Sequence, residues 1–90
     1  MKRKSKGREV LESRIIRAVQ YYICEEDKDD VTLDAVIIDG LGLDSLDTTE
    51  LTFAIESEFG LKEKEVVWDA FWSNRQVTVR DLCDFIERRM

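Results

Sequence analysis

The chain has 90 residues, of which 38% are charged and 43% are hydrophobic, and its formal net charge at pH 7 is −6. This length suits one domain with a modest core, and the hydrophobic fraction is typical of a folded globule rather than a disordered chain. No histidine is present, which excludes the usual base of a serine or cysteine hydrolase, and no apolar run approaches the length that spans a bilayer.

Residues 1–8, "MKRKSKGR", are basic and are not followed by an apolar stretch, so they do not form a secretory signal. We expect a flexible basic tail here, with an organellar targeting role left open, and one folded domain over residues 9–90. Cys24 and Cys83 lie in apolar helical patterns without metal-ligand spacing. We therefore expect both thiols to be buried and reduced, in a reducing compartment such as the cytoplasm.

Acidic residues dominate the middle of the chain, because residues 29–60 contain no Lys or Arg. Such a field repels phosphate backbones, so we expect no nucleic-acid partner and a better match to a basic protein surface. Ordinary solubilising charge remains an alternative interpretation of this acidity.

The first element in the chain is a helix predicted over residues 9–24, where apolar side chains recur at helical spacing. Residues 25–44 have no clear periodicity and predict a long connection. Four apolar residues in it are expected to plug the core: Leu33, Val36, Ile38 and Leu41. A connection of this length in a compact domain is usually functional or disordered, and the apolar residues favour an ordered, functional one.

A second helix is predicted from Ser45 to Gly60, since glycine suits the left-handed conformation that ends helices. A short third helix is predicted within residues 61–74, and a fourth over 78–90, where Thr78 and Asp81 have capping-box spacing. No segment alternates as a strand. The sequence therefore predicts an all-α fold, a small four-helix bundle with three longer helices, one short third helix and a long loop between helices 1 and 2.

The second helix has two apolar faces when its residues are placed at about 100° intervals. One face is the expected core stripe: Leu51, Ala54, Ile55 and Phe59. Leu46 and Phe53 lie nearly opposite, close to Glu50, with Glu56 on the flank. Apolar side chains rimmed by acids indicate a recognition surface for a groove with basic edges, whereas burial beneath the long connection is the alternative.

Ser45 stands at the start of this helix, where serine is a favoured N-cap, and Asp44 with Asp47 can form a capping pair. A catalytic role for Ser45 is excluded, because the chain has no histidine base and neither a GxSxG nor an SxxK motif. Any chemistry at Ser45 must therefore be performed on it by another enzyme. The acids nearby lack the spacing of a calcium-binding loop, and no metal site is expected.

Residues 41–60, "LGLDSLDTTELTFAIESEFG", resemble the signature region of acyl carrier proteins, and the order of helices over the rest of the chain is similar to that family. The resemblance implies a non-enzymatic carrier with 4′-phosphopantetheine attached to Ser45. The arm would carry acyl groups as thioesters to partner enzymes of fatty-acid, polyketide or related lipid synthesis. It also implies that Asp44 assists recognition by the phosphopantetheinyl transferase, and that the core stripe encloses a cleft for the acyl chain.

The same resemblance implies a partner-docking face on the second helix, read by acyl-transferring, condensing or ligase enzymes with basic surfaces. Its expected residues are Leu46, Asp47, Glu50, Phe53 and Glu56. Carriers of this kind are usually monomers between docking events. Weak, electrostatically steered docking allows partners to exchange quickly, and a tether raises the effective concentration of cargo near a docked active site.

The chain also departs from the family pattern. Gly40 stands where an acid is usual, and Thr49 and Thr52 replace residues that are commonly apolar. The later segment adds three aromatic residues: Trp68, Phe71 and Trp72. These rings either fill the core or gate the acyl cleft or select a partner, and together with the basic tail they suggest a specialised rather than housekeeping member.

Two alternatives stay open at this point. An aminoacyl or peptidyl carrier would use the same serine and arm, although such carriers usually show G-G-x-S in place of the L-D-S found here. An unmodified helical protein-interaction adaptor would use Ser45 only as a helix cap. Treatment with a phosphopantetheinyl transferase separates a carrier, which gains the arm, from an adaptor, which does not.

Overall fold

The computed structural model describes residues 2–61 and 68–89, with side chains from residue 7 onward. Within these ranges the chain is helical and has no strand beyond an isolated antiparallel bridge between Val36 and Thr78. The elements are α1 (Lys2–Gln20), a 3-10 helix (Glu25–Asp30), α2 (Ser45–Phe59), α3 (Trp68–Trp72) and α4 (Val79–Glu87). The predicted all-α class is confirmed, with three longer helices and a short third one.

The first helix differs from its prediction at both ends, since it begins at Lys2 and ends at Gln20. Its end is marked by tighter turns, in which the N–H of Tyr22 donates to the carbonyl of Val19 (3.0 Å) and that of Ile23 to Gln20 (3.1 Å). Helical backbone therefore extends into residues 1–8. The division of the chain into a flexible basic tail and a carrier domain from residue 9 stays a prediction.

The long connection is ordered and is fastened to the start of α4. The N–H of Ile37 donates to the carbonyl of Val77 (3.0 Å), and the N–H of Val79 donates to the carbonyl of Ala35 (3.0 Å). The four apolar residues that were predicted to fill the core from this connection are only partly buried: Leu33, Val36, Ile38 and Leu41. The buried residues of the connection are Val31, Ile37 and Leu43, which could not be predicted because the segment has no periodicity.

The predicted end of α2 and the predicted start of α4 are confirmed, whereas α4 ends at Glu87, earlier than predicted. Gly60 ends α2 with φ 67°, and its N–H donates to the carbonyl of Glu56. At the start of α4, Thr78 Oγ1 accepts from the N–H of Asp81 (3.1 Å), and the Asp81 carboxylate accepts from the N–H of Thr78 (3.0 Å).

The core lies between α1 and the two helices that pack on it, α2 and α4. Its buried members include Leu11, Ile15, Val19, Leu51, Ile55, Val79, Leu82 and Ile86. The prediction for α2 holds for Leu51 and Ile55, but Ala54 is exposed and Phe59 only half-buried. Thr48 and Thr52 are buried in their place, so the buried face of α2 is rotated from the predicted stripe.

The two cysteines occupy different environments, which corrects the expectation that both are buried. Cys83 is fully buried in α4, whereas Cys24 is exposed beyond the end of α1. Burial raises the pKa of the Cys83 thiol to about 11, because the thiolate would be poorly solvated there. Both thiols are free.

The third helix was predicted within residues 61–74, and residues 62–67 of that range lie outside the described part of the chain. The short helix α3 is described over five residues, with Trp68 buried. No helix in the described ranges is long and apolar enough to cross a membrane.

Candidate functional site

Ser45 is the first residue of α2, and the cap of that helix is made by its neighbours. Asp44 Oδ1 accepts from the N–H of Asp47 (2.9 Å), and Asp47 Oδ2 accepts from the N–H of Asp44 (3.3 Å). The predicted capping pair is thus confirmed, and the N-cap is Asp44 rather than Ser45.

The hydroxyl of Ser45 is therefore not needed to start the helix. Ser45 is exposed, and within the described part of the chain no hydrogen bond involves its Oγ. Its carbonyl, by contrast, accepts from Thr49 Oγ1 (2.8 Å) and from Thr48 Oγ1 (3.1 Å). The threonine at 49, unusual on the sequence pattern, thus bonds back to the turn that presents Ser45.

Negative charge surrounds the start of α2. Asp44 and Asp47 flank Ser45, and Glu50 is exposed one turn further on. Burial raises the pKa of the nearby Tyr22 phenol, and the negative charges of Glu50 and Asp47 raise it further. The field of these acids therefore reaches the end of α1, and it is suited to attract a basic surface.

Leu46 and Phe53 lie in solvent, each with 64% of its surface exposed. The predicted exposure of this pair is confirmed, and the alternative, burial beneath the connection, is wrong. Exposed large apolar side chains next to acidic ones are typical of a protein-binding surface rather than of a solvated helix face.

Glu56, the remaining acid of the expected docking face, has a partner within the chain. The indole Nε1–H of Trp68 donates to Glu56 Oε2 (2.9 Å), and the Glu56 residue is half-buried. The structure therefore brings Leu46, Asp47, Glu50 and Phe53 to the solvent side of α2. Glu56 is turned toward α3.

A second indole bond joins the same two helices. Trp72 Nε1–H donates to Thr52 Oγ1 (2.9 Å), which explains a buried threonine where the family pattern has an apolar residue. The two indole rings stack with centroids 6.2 Å apart, and Trp68 also packs on Phe85 of α4 at 4.9 Å. Sequence reasoning named the rings but not these bonds. The only signal was the general need of a buried indole for an acceptor.

A groove of about 590 Å³ lies between α1 and α2. Its lining residues are Arg14, Arg17, Ala18, Tyr21, Tyr22, Ala54, Ile55, Glu58 and Phe59. Arg14 Nη1 lies 3.4 Å from Glu58 Oε2, and its guanidinium stands 5.9 Å from the centre of the Phe59 ring. The groove contains neither Ser45 nor the exposed pair Leu46 and Phe53.

The residues around Ser45 fit a covalently attached phosphate-containing arm. The hydroxyl is exposed and free of a structural role, so a substituent on Oγ displaces no hydrogen bond of the described chain. The dipole at the amino end of α2 favours negative charge close to Ser45, whereas the carboxylates of Asp44 and Asp47 oppose it. Because the chain has no histidine, it offers no ordinary base for activating this hydroxyl itself.

Comparisons with known proteins agree with this geometry. The family model described as "Phosphopantetheine attachment site" matches residues 17–86, which is most of the chain. The acyl carrier protein of Treponema denticola is 43% identical over 63 residues, covering 70% of this chain and 74% of that protein. No solved structure matches the chain significantly.

Proposed function

Because the chain belongs to the acyl carrier protein family, whose cofactor is covalent 4′-phosphopantetheine, we propose that Ser45 is the attachment residue. The protein is a carrier and not an enzyme. The observation that carries the proposal is the position of Ser45 as the exposed first residue of α2, with a cap supplied by Asp44 and Asp47.

The attachment forms one bond and breaks another. Ser45 Oγ bonds to the phosphorus that bears the pantetheine of coenzyme A, and 3′,5′-adenosine diphosphate leaves. The transferase must take the hydroxyl proton, since the chain has no histidine to do so. The arm supplies a thiol on which acyl groups are carried as thioesters. Asp44, exposed beside Ser45, is the proposed point of recognition by the transferase.

We propose that partner enzymes dock on the solvent side of α2, at Leu46, Asp47, Glu50 and Phe53. Support comes from the exposed apolar pair lying among carboxylates, which fits a partner surface with an apolar recess and basic edges. The proposed partners are the phosphopantetheinyl transferase and acyl-transferring, condensing or ligase enzymes. Their proposed pathway is fatty-acid, polyketide or related lipid synthesis.

The proposed form of the protein is a monomer in the cytoplasm, with residues 9–90 as the carrier domain. Two free cysteines support a reducing compartment, since thiols persist where disulfides do not form. The family match over residues 17–86 supports the extent of the domain.

Intact-protein mass spectrometry tests the attachment site. The chain, its Ser45→Ala variant and its Ser57→Ala variant are each treated with coenzyme A and a promiscuous phosphopantetheinyl transferase. Ser57 is the matched control, because it is an exposed serine on the same helix. We expect the parent and Ser57→Ala to gain one phosphopantetheine and Ser45→Ala to gain none.

An arm gained by Ser45→Ala would move the site elsewhere. A parent that stays unmodified, while a known carrier in the same tube is fully converted, would favour the adaptor reading. Loading of the modified chain by an amino-acid-activating enzyme, and by no acyl-transferring enzyme, would favour the aminoacyl or peptidyl carrier.

A further inference from the structure

The carboxylates of α2 divide into two groups according to what they contact. In the second half of the helix both side chains have partners within the chain: Glu56 accepts from Trp68 Nε1 at 2.9 Å, and Glu58 lies 3.4 Å from Arg14 Nη1. In the first half, Asp47 accepts only a backbone N–H, and Glu50 has no ion pair with any side chain that the structure describes. The acidity of α2 is therefore not equally available along its length.

The bond to Glu56 is held in place by its surroundings. Trp68 is 9% exposed, and its ring stacks on Trp72 and packs against Phe85. Trp72 is bonded to Thr52, one turn before Glu56 on the same helix. An indole fixed on several sides presents its N–H in one direction, and a bond between a buried donor and a charged acceptor is among the stronger ones.

The direction of the bond matters for docking. At 100° per residue, Glu56 lies about 60° from Phe53 and about 40° from Thr52, so its backbone position is between the docking side and the α3 side. A flexible glutamate at such a position can reach either side. The bond to Trp68 selects the α3 side, which turns the carboxylate away from the surface that contains Phe53.

We infer that Trp68 is a positioning residue that withdraws Glu56 from the docking face. The inference rests on the proposed function, because it assigns which acids of α2 a basic partner contacts. On this assignment the partner needs a compact basic patch near Asp47 and Glu50, beside a recess for Leu46 and Phe53. The partner does not need a basic strip along the whole helix. Glu56 instead accepts the hydrogen bond that joins α2 to α3.

Steady-state kinetics with the chain as varied substrate test this inference, using coenzyme A and a promiscuous phosphopantetheinyl transferase. Glu50→Gln and Glu56→Gln are a matched pair, since each removes one charge and keeps a side chain that can accept a hydrogen bond. We expect Glu50→Gln to raise KM about three- to tenfold with kcat unchanged, as for loss of a charge contact at an interface. We expect Glu56→Gln to change KM by less than about 1.5-fold, because a charge that the partner does not contact contributes little to binding. An equal rise in KM for the two variants would overturn the inference.

The Trp68→Phe variant tests the positioning role itself, because it keeps an aromatic ring and removes the N–H. Once Glu56 is released, it can reach the docking side, so we expect Glu56→Gln to raise KM in the Trp68→Phe background although it does not in the parent. Absence of this coupling would overturn the inference. A rise in KM caused by Glu56→Gln only at low salt in both backgrounds would likewise count against it, since it would indicate a diffuse charge effect.

Two further measurements keep the inference testable if a variant is poorly folded. If Trp68→Phe does not unfold cooperatively, its kinetics are set aside, and hydrogen exchange of the Trp68 indole N–H in the other chains tests the bond to Glu56. It should be slow in the parent and in Glu56→Gln, and fast in Glu56→Ala. Equal exchange in all three would contradict the bond. Mass spectrometry of each variant separates the two proposals: modification at Ser45 in every variant keeps the proposed function, whatever the KM values show.

Discussion

Arg8 Nη2 lies 2.7 Å from Asp84 Oδ1, which joins the first helix to the last across 76 positions of sequence. The same guanidinium contacts Glu12 Oε2 at 2.7 Å and Glu87 Oε1 at 2.6 Å, and only 19% of the Arg8 side chain is exposed. One arginine thus connects three carboxylates on two helices. These contacts, chiefly the hydrogen bond with Glu12, raise the pKa of Arg8 above its ordinary value.

We expect Arg8→Ala to lower the free energy of unfolding by about 1–2 kcal/mol, because a partly buried, multiply bonded arginine contributes more than an exposed pair. Because these contacts raise the pKa of Arg8 above its ordinary value, the guanidinium is charged at pH 7 and the contribution is fully present there. Urea unfolding at pH 7 measures the effect. The matched control is Arg75→Ala, whose pair with Asp39 (2.9 Å) has 67% of the arginine side chain exposed and should cost less than about 0.5 kcal/mol. Equal losses in the two variants would refute this account of Arg8.

Gly40→Ala should destabilise the long connection. A Cβ at residue 40 would lie 2.5 Å from the carbonyl oxygen of Val36, and that oxygen is held by the N–H of Leu41 at 2.8 Å. The backbone must therefore shift, at a cost of about 1–3 kcal/mol. Gly7→Ala is the control, since a Cβ there meets nothing within 4 Å and alanine favours helix by up to about 1 kcal/mol. Thermal unfolding of both variants checks the opposite signs. An unchanged melting temperature in Gly40→Ala would show that the loop relaxes freely.

The stability of the fold should fall in alkaline solution because of Cys83. Its pKa is raised from 9.0 to about 11 in the folded chain, so the unfolded chain loses the thiol proton first as the pH rises. The contribution of the neutral thiol to the free energy of unfolding is complete below pH 9 and is lost as the pH rises toward 11. The loss amounts to about 2 kcal/mol by about pH 10.5. Tyrosine and lysine titrations are common to the parent and to Cys83→Ala. The difference in unfolding free energy between these two chains, measured at pH 8 and at pH 10.5, should therefore shrink, and a constant difference would disprove the assignment.

The two thiols should react at very different rates. Cys24 is exposed and Cys83 is fully buried, so a water-soluble disulfide reagent should modify one thiol quickly in the native chain and the second only in denaturant. Cys24→Ser should abolish the fast phase and leave the slow one. Rapid modification of two thiols in the native protein would mean that α4 opens readily.

Phe53→Ala should separate docking from folding. Since 64% of Phe53 is exposed, its removal should change the free energy of unfolding by less than about 0.5 kcal/mol. If Phe53 enters a partner recess, transfer by the phosphopantetheinyl transferase should lose about tenfold in kcat/KM. Val10→Ala is the control, because Val10 is an apolar residue 55% exposed on a different helix, α1, and its removal should leave transfer unchanged. Equal kinetics for parent and Phe53→Ala would remove Phe53 from that contact.

Features set by neighbouring residues could be predicted from the sequence. The pairs Asp44 with Asp47 and Thr78 with Asp81 cap helices through bonds three residues apart, and Gly60 ends α2 by its own backbone conformation. Helical periodicity placed Leu46 and Phe53 opposite the core stripe, and the structure decided between exposure and burial beneath the long connection. The position of the candidate site was accessible for the same reason, because it is the start of one helix.

Features set by distant residues could not be predicted. The burial of Thr52 depends on an indole twenty positions later, and nothing in the local pattern distinguishes it from the exposed Thr49. Two of the three carboxylate partners of Arg8, Asp84 and Glu87, lie at the other end of the chain, so these contacts could not be predicted from the neighbouring sequence. Ile37 is buried within an irregular connection, where side-chain direction has no period to follow.

The helix cap of α2 and the proposed attachment point are formed by different residues, which has a thermodynamic consequence. Since Asp44 and Asp47 supply the cap, replacing the hydrogen on Ser45 Oγ breaks no bond that stabilises the helix. If the arm is attached at Ser45 as proposed, we expect folding and attachment to be unlinked in the sense of a thermodynamic cycle: the arm should change the free energy of unfolding little, and folding should not oppose the arm's addition or removal. Such a carrier can pass repeatedly between its bare and its loaded forms with one and the same folded scaffold.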